Sequence, residues 1–236
     1  HLMIANSGHR LDDEEALVSA LLAQRVCGLV LHNTMHTKGV RDLVAKTGVP
    51  VIETGNLPAE PLDMAVSYSN YEAARAMTAH LGRLGYRKIG FVTLPLRDND
   101  RSEERRRGYF AALKELGLPV DPSLVLEAPG GFSEGGDALV RLVQTHPGLD
   151  AAFFAGDVLA VGALFECQRR GWAVPGRVAI ASFDDLDLLR HAVPTVTTLR
   201  IPRHEIGRRS AELLVNRLLG ASPERIRIDV GFEIVQ

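Results

Sequence analysis

The segment from Arg97 to Arg107 carries the densest chemistry in the chain: Arg97, Arg101, Arg105, Arg106 and Arg107 interleave with Asp98, Asp100, Glu103 and Glu104. Arg101 and Arg105 stand four apart, so from a helix starting near Ser102 both point the same way at its N-terminal end. Guanidinium forks in that position suit an anionic or polyhydroxylated ligand. The same pattern also fits a solvated face whose arginines pair with Glu103 and Glu104, and charge spacing leaves both readings open. Asp184 and Asp185 follow an apolar run ending at Phe183, which puts a carboxylate at a strand's carboxyl end. Such a pair can bind metal, act as acid and base, or accept hydrogen bonds from sugar hydroxyls; no His or third carboxylate at ligand spacing accompanies it, which argues against metal. One of the two also fits an N-cap for a turn over Leu186 to Arg190. Glu53 ends another apolar run, just before Gly55 and Asn56, and Phe132 follows a glycine pair where an aromatic ring either stacks on a ligand or joins a core.

Other chemistries lack their residues. Gly130, Gly131, Gly135 and Gly136 precede a helical pattern without the GxGxxG order of a dinucleotide loop or the GK[ST] of a phosphate loop. Eight histidines are scattered without HExxH, and there is no GxSxG elbow or Cys/His nucleophile pair. No catalytic set, metal site or cofactor is expected. The two cysteines, Cys27 and Cys167, lie apart and read as buried thiols.

The elements that position these residues follow from patterning. The 236 residues are enough for one large domain or two ordinary ones. Hydrophobic residues at 46%, charged residues at 24% and a mean hydropathy of +0.03 describe a folded, soluble chain. With 27 Lys plus Arg against 29 Asp plus Glu, a net charge of −2 gives no overall field for nucleic acid or an anionic membrane. Apolar runs are too short to span a bilayer and no signal peptide opens the chain, so the cytosol is expected. Strand candidates are Leu2 to Ala5, Val26 to Leu31, Val49 to Glu53, Ala65 to Tyr68, Lys88 to Thr93, Leu124 to Glu127, Ala151 to Ala155 and Val178 to Phe183, most of them near-continuous apolar runs of the parallel-sheet kind. Helical patterns lie at about 12–24, 38–47, 70–84, 102–116, 133–145, 157–170 and 204–219, several ending in a glycine suited to the left-handed C′ position. Strand and helix in alternation predict an α/β fold of doubly wound parallel sheets. Irregular stretches at Asn56 to Asp63 and Asp184 to Thr197 favour two lobes, with ligands at the carboxyl ends of strands.

On these residues the chain resembles the effector-binding region of the lactose/galactose repressor family of bacterial transcription regulators. The resemblance is carried by LVSALLAQRVCGLVL (17–31), LGRLGYRKIGFV (81–92), RRRGYFAALKEL (105–116), AGDVLAVG (155–162), RGWAVPGRVAIASFDD (170–185) and PTVTTLRIPRHEIG (194–207). Within it, VIET (51–54) and PLDMAVSYSNYEAARA (61–76) look like the gluconate-repressor branch. The resemblance implies a periplasmic-binding-protein-like fold of two lobes, 1–68 with 201–221 and 69–200 with 222–236, crossing near 68–70, 199–202 and 220–223. It implies a sugar or sugar-acid effector in a cleft, held by Arg101, Arg105 and Asp184 with Glu53 and Phe132 at neighbouring positions. A homodimer is implied too, for which Leu213, Leu214, Leu218 and Leu219 offer an apolar helix face. Gly156 stands where some members carry a ligand-binding Asn, and Ile201 where a Gln is frequent. No counterpart of the family's helix-turn-helix headpiece, or of the first strand and helix of its amino-terminal lobe, precedes His1. Operator DNA is therefore expected to be met through a headpiece outside this sequence. A periplasmic sugar-binding protein of a transporter shares the implied fold and remains the alternative; an enzyme would need a catalytic set that the sequence lacks.

Overall fold

The computed structural model describes residues 1–8, 10–220 and 227–236. In chain order the elements are α1 (Leu11–Ala23), β1 (Leu29–Leu31), α2 (Lys38–Thr47), β2 (Val51–Glu53), β3 (Met64–Ser67), α3 (Asn70–Arg83), β4 (Ile89–Thr93), α4 (Asp100–Glu115) and β5 (Val125–Glu127). There follow α5 (Phe132–Thr145), β6 (Ala151–Phe154), α6 (Asp157–Arg170), β7 (Ala179–Phe183), α7 (Asp187–His191), β8 (Thr197–Arg200), α8 (Arg203–Leu218), β9 (Arg227–Asp229) and β10 (Glu233–Val235). The chain folds into two compact units, the first of 1–69, 97–101 and 202–231, the second of 70–96, 102–201 and 232–236.

In the first unit four parallel strands run in the order β1-β2-β3-β9. Helix α2 begins where Thr37 accepts the Val40 N–H and ends at Gly48, whose φ of +65° suits glycine. Because side chains alternate along a strand, the sheet buries two apolar layers. Leu29, Leu31 and Val51 pack with Val18 of α1 and with Val40 and Val44 of α2. Ile52, Met64 and Val66 pack against Ile206, Leu213 and Leu214 of α8.

The second unit is a six-stranded sheet, β10-β8-β7-β6-β4-β5, parallel except for β10, which runs antiparallel to β8. Strands β4, β6 and β7 are buried along their whole length. One face packs Val92 and Phe154 against Leu142 of α5 and Leu159 of α6. The other carries an aromatic row in which Tyr109 of α4 stacks on Phe91 at 5.0 Å, Phe91 meets Phe153 at 5.3 Å, and Phe153 faces Phe183 at 6.4 Å. Buried Tyr109 satisfies its hydroxyl by donating to Ile89 O at 2.7 Å. On the opposite face α5 and α6 cross at backbone distance: a Cβ on Gly135 would lie 2.1 Å from Leu159 O, and one on Gly162 1.9 Å from Phe132 O.

Several expectations are corrected. Leu2 to Ala5 is not a strand: Leu2 and Ile4 are 86% and 87% exposed and pair with no strand among the described residues, and a strand exists only through its partner. Cys27 is exposed, while Cys167 is buried as expected. Thr197–Arg200 and the two C-terminal strands were absent from the expected set; each forms by pairing with a distant strand. Of residues 222–236, which the resemblance assigns to the second lobe, Arg227–Asp229 pair with β3 in the first unit and Glu233–Val235 with β8 in the second. The expected crossing near 220–223 falls mostly on residues 221–223, outside the described residues.

Candidate functional site

The carboxyl ends of β6 and β7 converge on Arg105. Its Nε donates to Asn70 Oδ1 at 2.8 Å and its Nη1 to Ala155 O at 2.8 Å. Its guanidinium carbon sits 3.7 Å from the centroid of the Phe183 ring, and the residue is only 7% exposed. A planar cation pressed on an aromatic face and fixed by two acceptors has surrendered its rotamer freedom before any ligand arrives. Asn70, which begins α3, was not singled out from sequence; its signal was a polar residue just beyond a strand end. Local sequence places Arg105 inward. Tyr109, one turn further along α4, is fully buried in the aromatic row, while Arg106 and Arg107 turn outward to Glu103 and Glu104.

Next to Phe183 the two aspartates take different parts. Asp184 is half-buried with a φ of +72°, a left-handed conformation that costs a non-glycine residue free energy and that Asp tolerates better than most. The side chain of Asp185 is 5% exposed and turned inward: it accepts from Thr198 Oγ1 at 3.1 Å and Arg200 Nε at 2.7 Å, with Arg190 Nε at 3.3 Å. Asp185 therefore holds β7, α7 and β8 together, and the strained turn presents Asp184 separately. Phe132 opens α5 with half its surface exposed and its ring 6.3 Å from that of Phe165. So the structure brings Arg105 and Asp184 to one end of the second unit's sheet, while the ring contact made by Phe132 is with α6.

Two expected residues fall in the first unit. Arg101 belongs to the 97–101 segment, where Asp100 Oδ2 accepts from Thr34 Oγ1 and, at 2.9 Å, from Asn56 Nδ2. Glu53, 2% exposed, has both carboxylate oxygens engaged by the chain's own donors: Oε1 lies 3.2 Å from His36 Nε2, and Oε2 accepts the Leu62 N–H at 2.5 Å. His36 Nδ1 lies 2.9 Å from Glu14 Oε2, so the imidazole bridges α1 to the end of β2. Burial opposes its charge, but hydrogen bonds and attraction from Glu14 and Glu53 outweigh that and raise its pKa from 6.5 to about 9. Nothing in the spacing of Glu14, His36 and Glu53 announced this brace. Among the described residues no group of three or more His, Cys, Asp or Glu side chains is arranged to hold a metal ion, and no helix is long and apolar enough to cross a membrane.

Parallel sheets in two units, with polar side chains gathered at strand carboxyl ends, define the periplasmic-binding-protein-like class, and the profile of the periplasmic binding protein-like domain matches residues 78–235. The chain belongs to the LacI family of transcriptional regulators within that class. It is 33% identical over 232 residues to the HTH-type transcriptional regulator GntR of Escherichia coli K12, covering 98% of this chain and 69% of that protein. The crystal structure of the transcription regulator GntR from Chromobacterium violaceum matches with a TM-score of 0.94 at 33% identity, over all of this chain and 86% of that one. A transcriptional regulator CelR–cellobiose complex matches with a TM-score of 0.83 at 29% identity, over 95% of this chain and 69% of that one. These relatives are regulators, not enzymes.

Proposed function

We propose that the chain is the effector-binding part of a transcriptional repressor, and that its effector is a sugar or sugar acid, gluconate or a related aldonate. The observation that carries this reading is Arg105, a buried guanidinium locked between Asn70, Ala155 and Phe183 on the same strand ends as Asp184. A fixed guanidinium recognises a carboxylate by charge-assisted hydrogen bonds, and an aspartate recognises hydroxyls by accepting them. An aldonate supplies both groups. Arg101 and the half-exposed ring of Phe132 are further candidate contacts, each on its own unit, whereas Glu53 serves the His36 brace instead. The resemblance to the gluconate-repressor branch and the relative in complex with cellobiose support a sugar-like ligand. Regulation follows if the effector binds one state of the regulator more tightly than another. With a net charge of −2 the chain meets operator DNA through a helix-turn-helix headpiece, as a homodimer in the cytoplasm.

Titration calorimetry and thermal denaturation with gluconate and glucose test the reading. At 100 times its dissociation constant the effector should stabilise the chain by about 2.7 kcal/mol. Arg105→Lys keeps a cation but loses the fork, and should weaken gluconate binding by roughly ten- to a hundredfold, more than it weakens glucose. Asp184→Asn, which tolerates the left-handed backbone, should weaken both ligands. If only purines stabilise the chain, or no sugar or sugar acid does, the assignment is wrong.

A further inference from the structure

Strand β5 closes one edge of the six-stranded sheet and, among the described residues, pairs on one side only, with β4. The Ala128 N–H donates to Thr93 O at 2.8 Å. Peptide groups alternate in direction along a strand, so Leu126 and Ala128 turn theirs toward β4. The carbonyls of Val125 and Glu127 and the N–H of Glu127 consequently point out from the sheet, while the Val125 N–H is held by Pro122 O in the preceding turn. Over this edge lies a groove of about 610 Å³, whose walls include Arg106, Phe110, Val125, Leu126, Glu127 and Arg141.

The walls come from both faces of the sheet. Tyr109 of α4 stacks on Phe91 of β4, and Leu142 of α5 packs with Val92, the adjacent residue, whose side chain points the opposite way. Arg106 and Phe110 of α4 therefore overhang one face of β5 and Arg141 of α5 the other. A compact ligand seated on one face would meet one arginine. An extended chain laid along β5 sends successive side chains to the two faces and meets both. The charge agrees: Arg106 is half-buried and shared with Glu103 at 2.8 Å, while the exposed guanidinium of Arg141 has no hydrogen bond or ion pair among the described residues. Glu127, the acidic residue among the described lining, already accepts the Leu96 N–H at 3.0 Å.

We propose that the β5 edge is a docking site for an extended segment of a partner protein, which adds a strand to the sheet. The segment carries carboxylates at two adjacent positions, one for Arg106 and one for Arg141, flanked by apolar residues that cover Phe110 and Leu126. Binding here is separate from the sugar-acid reading, and neither depends on the other.

The probe is a fluorescently labelled hexapeptide, acetyl-Leu-Val-Glu-Asp-Val-Leu-amide, titrated into the whole chain, with amide exchange of Glu127 followed by NMR. Saturable binding is expected at or below peptide concentrations on the order of 100 µM, with slowed exchange at Glu127. Arg106→Glu and Arg141→Glu, both outside the buried core, should each weaken binding about tenfold. Glu127→Ala keeps the outward N–H and should bind at least as well as the native chain; Glu127→Pro removes that N–H and should not bind, and the alanine variant serves as its control for folding. The proposal is overturned if there is no saturable binding, if Glu127 exchange is unchanged at saturation, or if a peptide with two lysines in place of the acids binds equally.

Discussion

A buried histidine between two carboxylates gives the first unit a pH dependence with a definite sign. The side chain of His36 is fully buried, with a folded pKa of about 9 against 6.5 for the free group. Because the folded value is the higher one, the folded state holds the proton more tightly, and the stabilisation is fully present below about pH 6.5. It declines as pH rises and is gone once pH passes 9, a loss of up to about 3 kcal/mol at 1.36 kcal/mol per unit. Glu14 and Glu53 are then left as buried carboxylates facing a neutral ring. The expected outcome is a urea midpoint that falls between pH 7 and 9.5 in the native chain and much less in His36→Gln. A native midpoint that stays level over that range would mean His36 titrates near its free value.

Among the elements, α5 and α6 depend most sharply on single residue types. Gly135 and Gly162 bring each helix against the other's carbonyls, at Leu159 and Phe132. No side chain is available to give way, so an added methyl must separate the helices. Gly162→Ala should cost roughly 1–3 kcal/mol, and Gly135→Ala a similar amount, against the small gain alanine usually brings in an exposed helix. Denaturant titration decides it, with unchanged midpoints contradicting the close crossing. From sequence the glycines near 130–136 could be excluded as a phosphate loop, but Gly135 and Gly136 pack against Leu159 and Gly162 of another helix, a long-range contact that no local pattern reveals. The same contrast runs through the fold. The α/β class, the parallel strands β4, β6 and β7 and the helices α4, α5 and α6 were legible, because an apolar run buried on both faces and an amphipathic helix are local signals, whereas α7 lies in a stretch expected to be irregular. Thr197–Arg200, Arg227–Asp229 and Glu233–Val235 were not, since short mixed-polarity segments become strands only through distant partners. At the site, arginine spacing and the strand-end aspartates drew attention to Arg105 and Asp184. The stacking on Phe183, the Asn70 anchor and the separate employment of Asp185 are tertiary facts that spacing cannot encode.

At the scale of the whole molecule, charge and apolar surface point to different partners. A net charge of −2, with Glu103 and Glu104 set among the arginines of α4, leaves little with which to displace counterions from DNA. Apolar surface is more informative on α8. Leu213 and Leu214 pack on Ile52, Met64 and Val66 within their own unit, so half of the leucine face expected for dimerisation is partly buried there. Val215, Leu218 and Leu219 are 52%, 44% and 80% exposed, and positions three and four apart share one side of a helix. If that side is the homodimer contact proposed above, Val215→Glu with Leu218→Glu should convert a dimer into a folded monomer, because neither side chain belongs to the buried cluster. Sedimentation equilibrium at tens of micromolar, an order-of-magnitude threshold for weak association, measures it. A native chain that sediments as a monomer there removes the dimer; a native dimer that survives both glutamates moves the contact to another face, and Leu213→Ala, which should lower stability by about 1–2 kcal/mol because the side chain is only partly buried, separates lost packing from lost association.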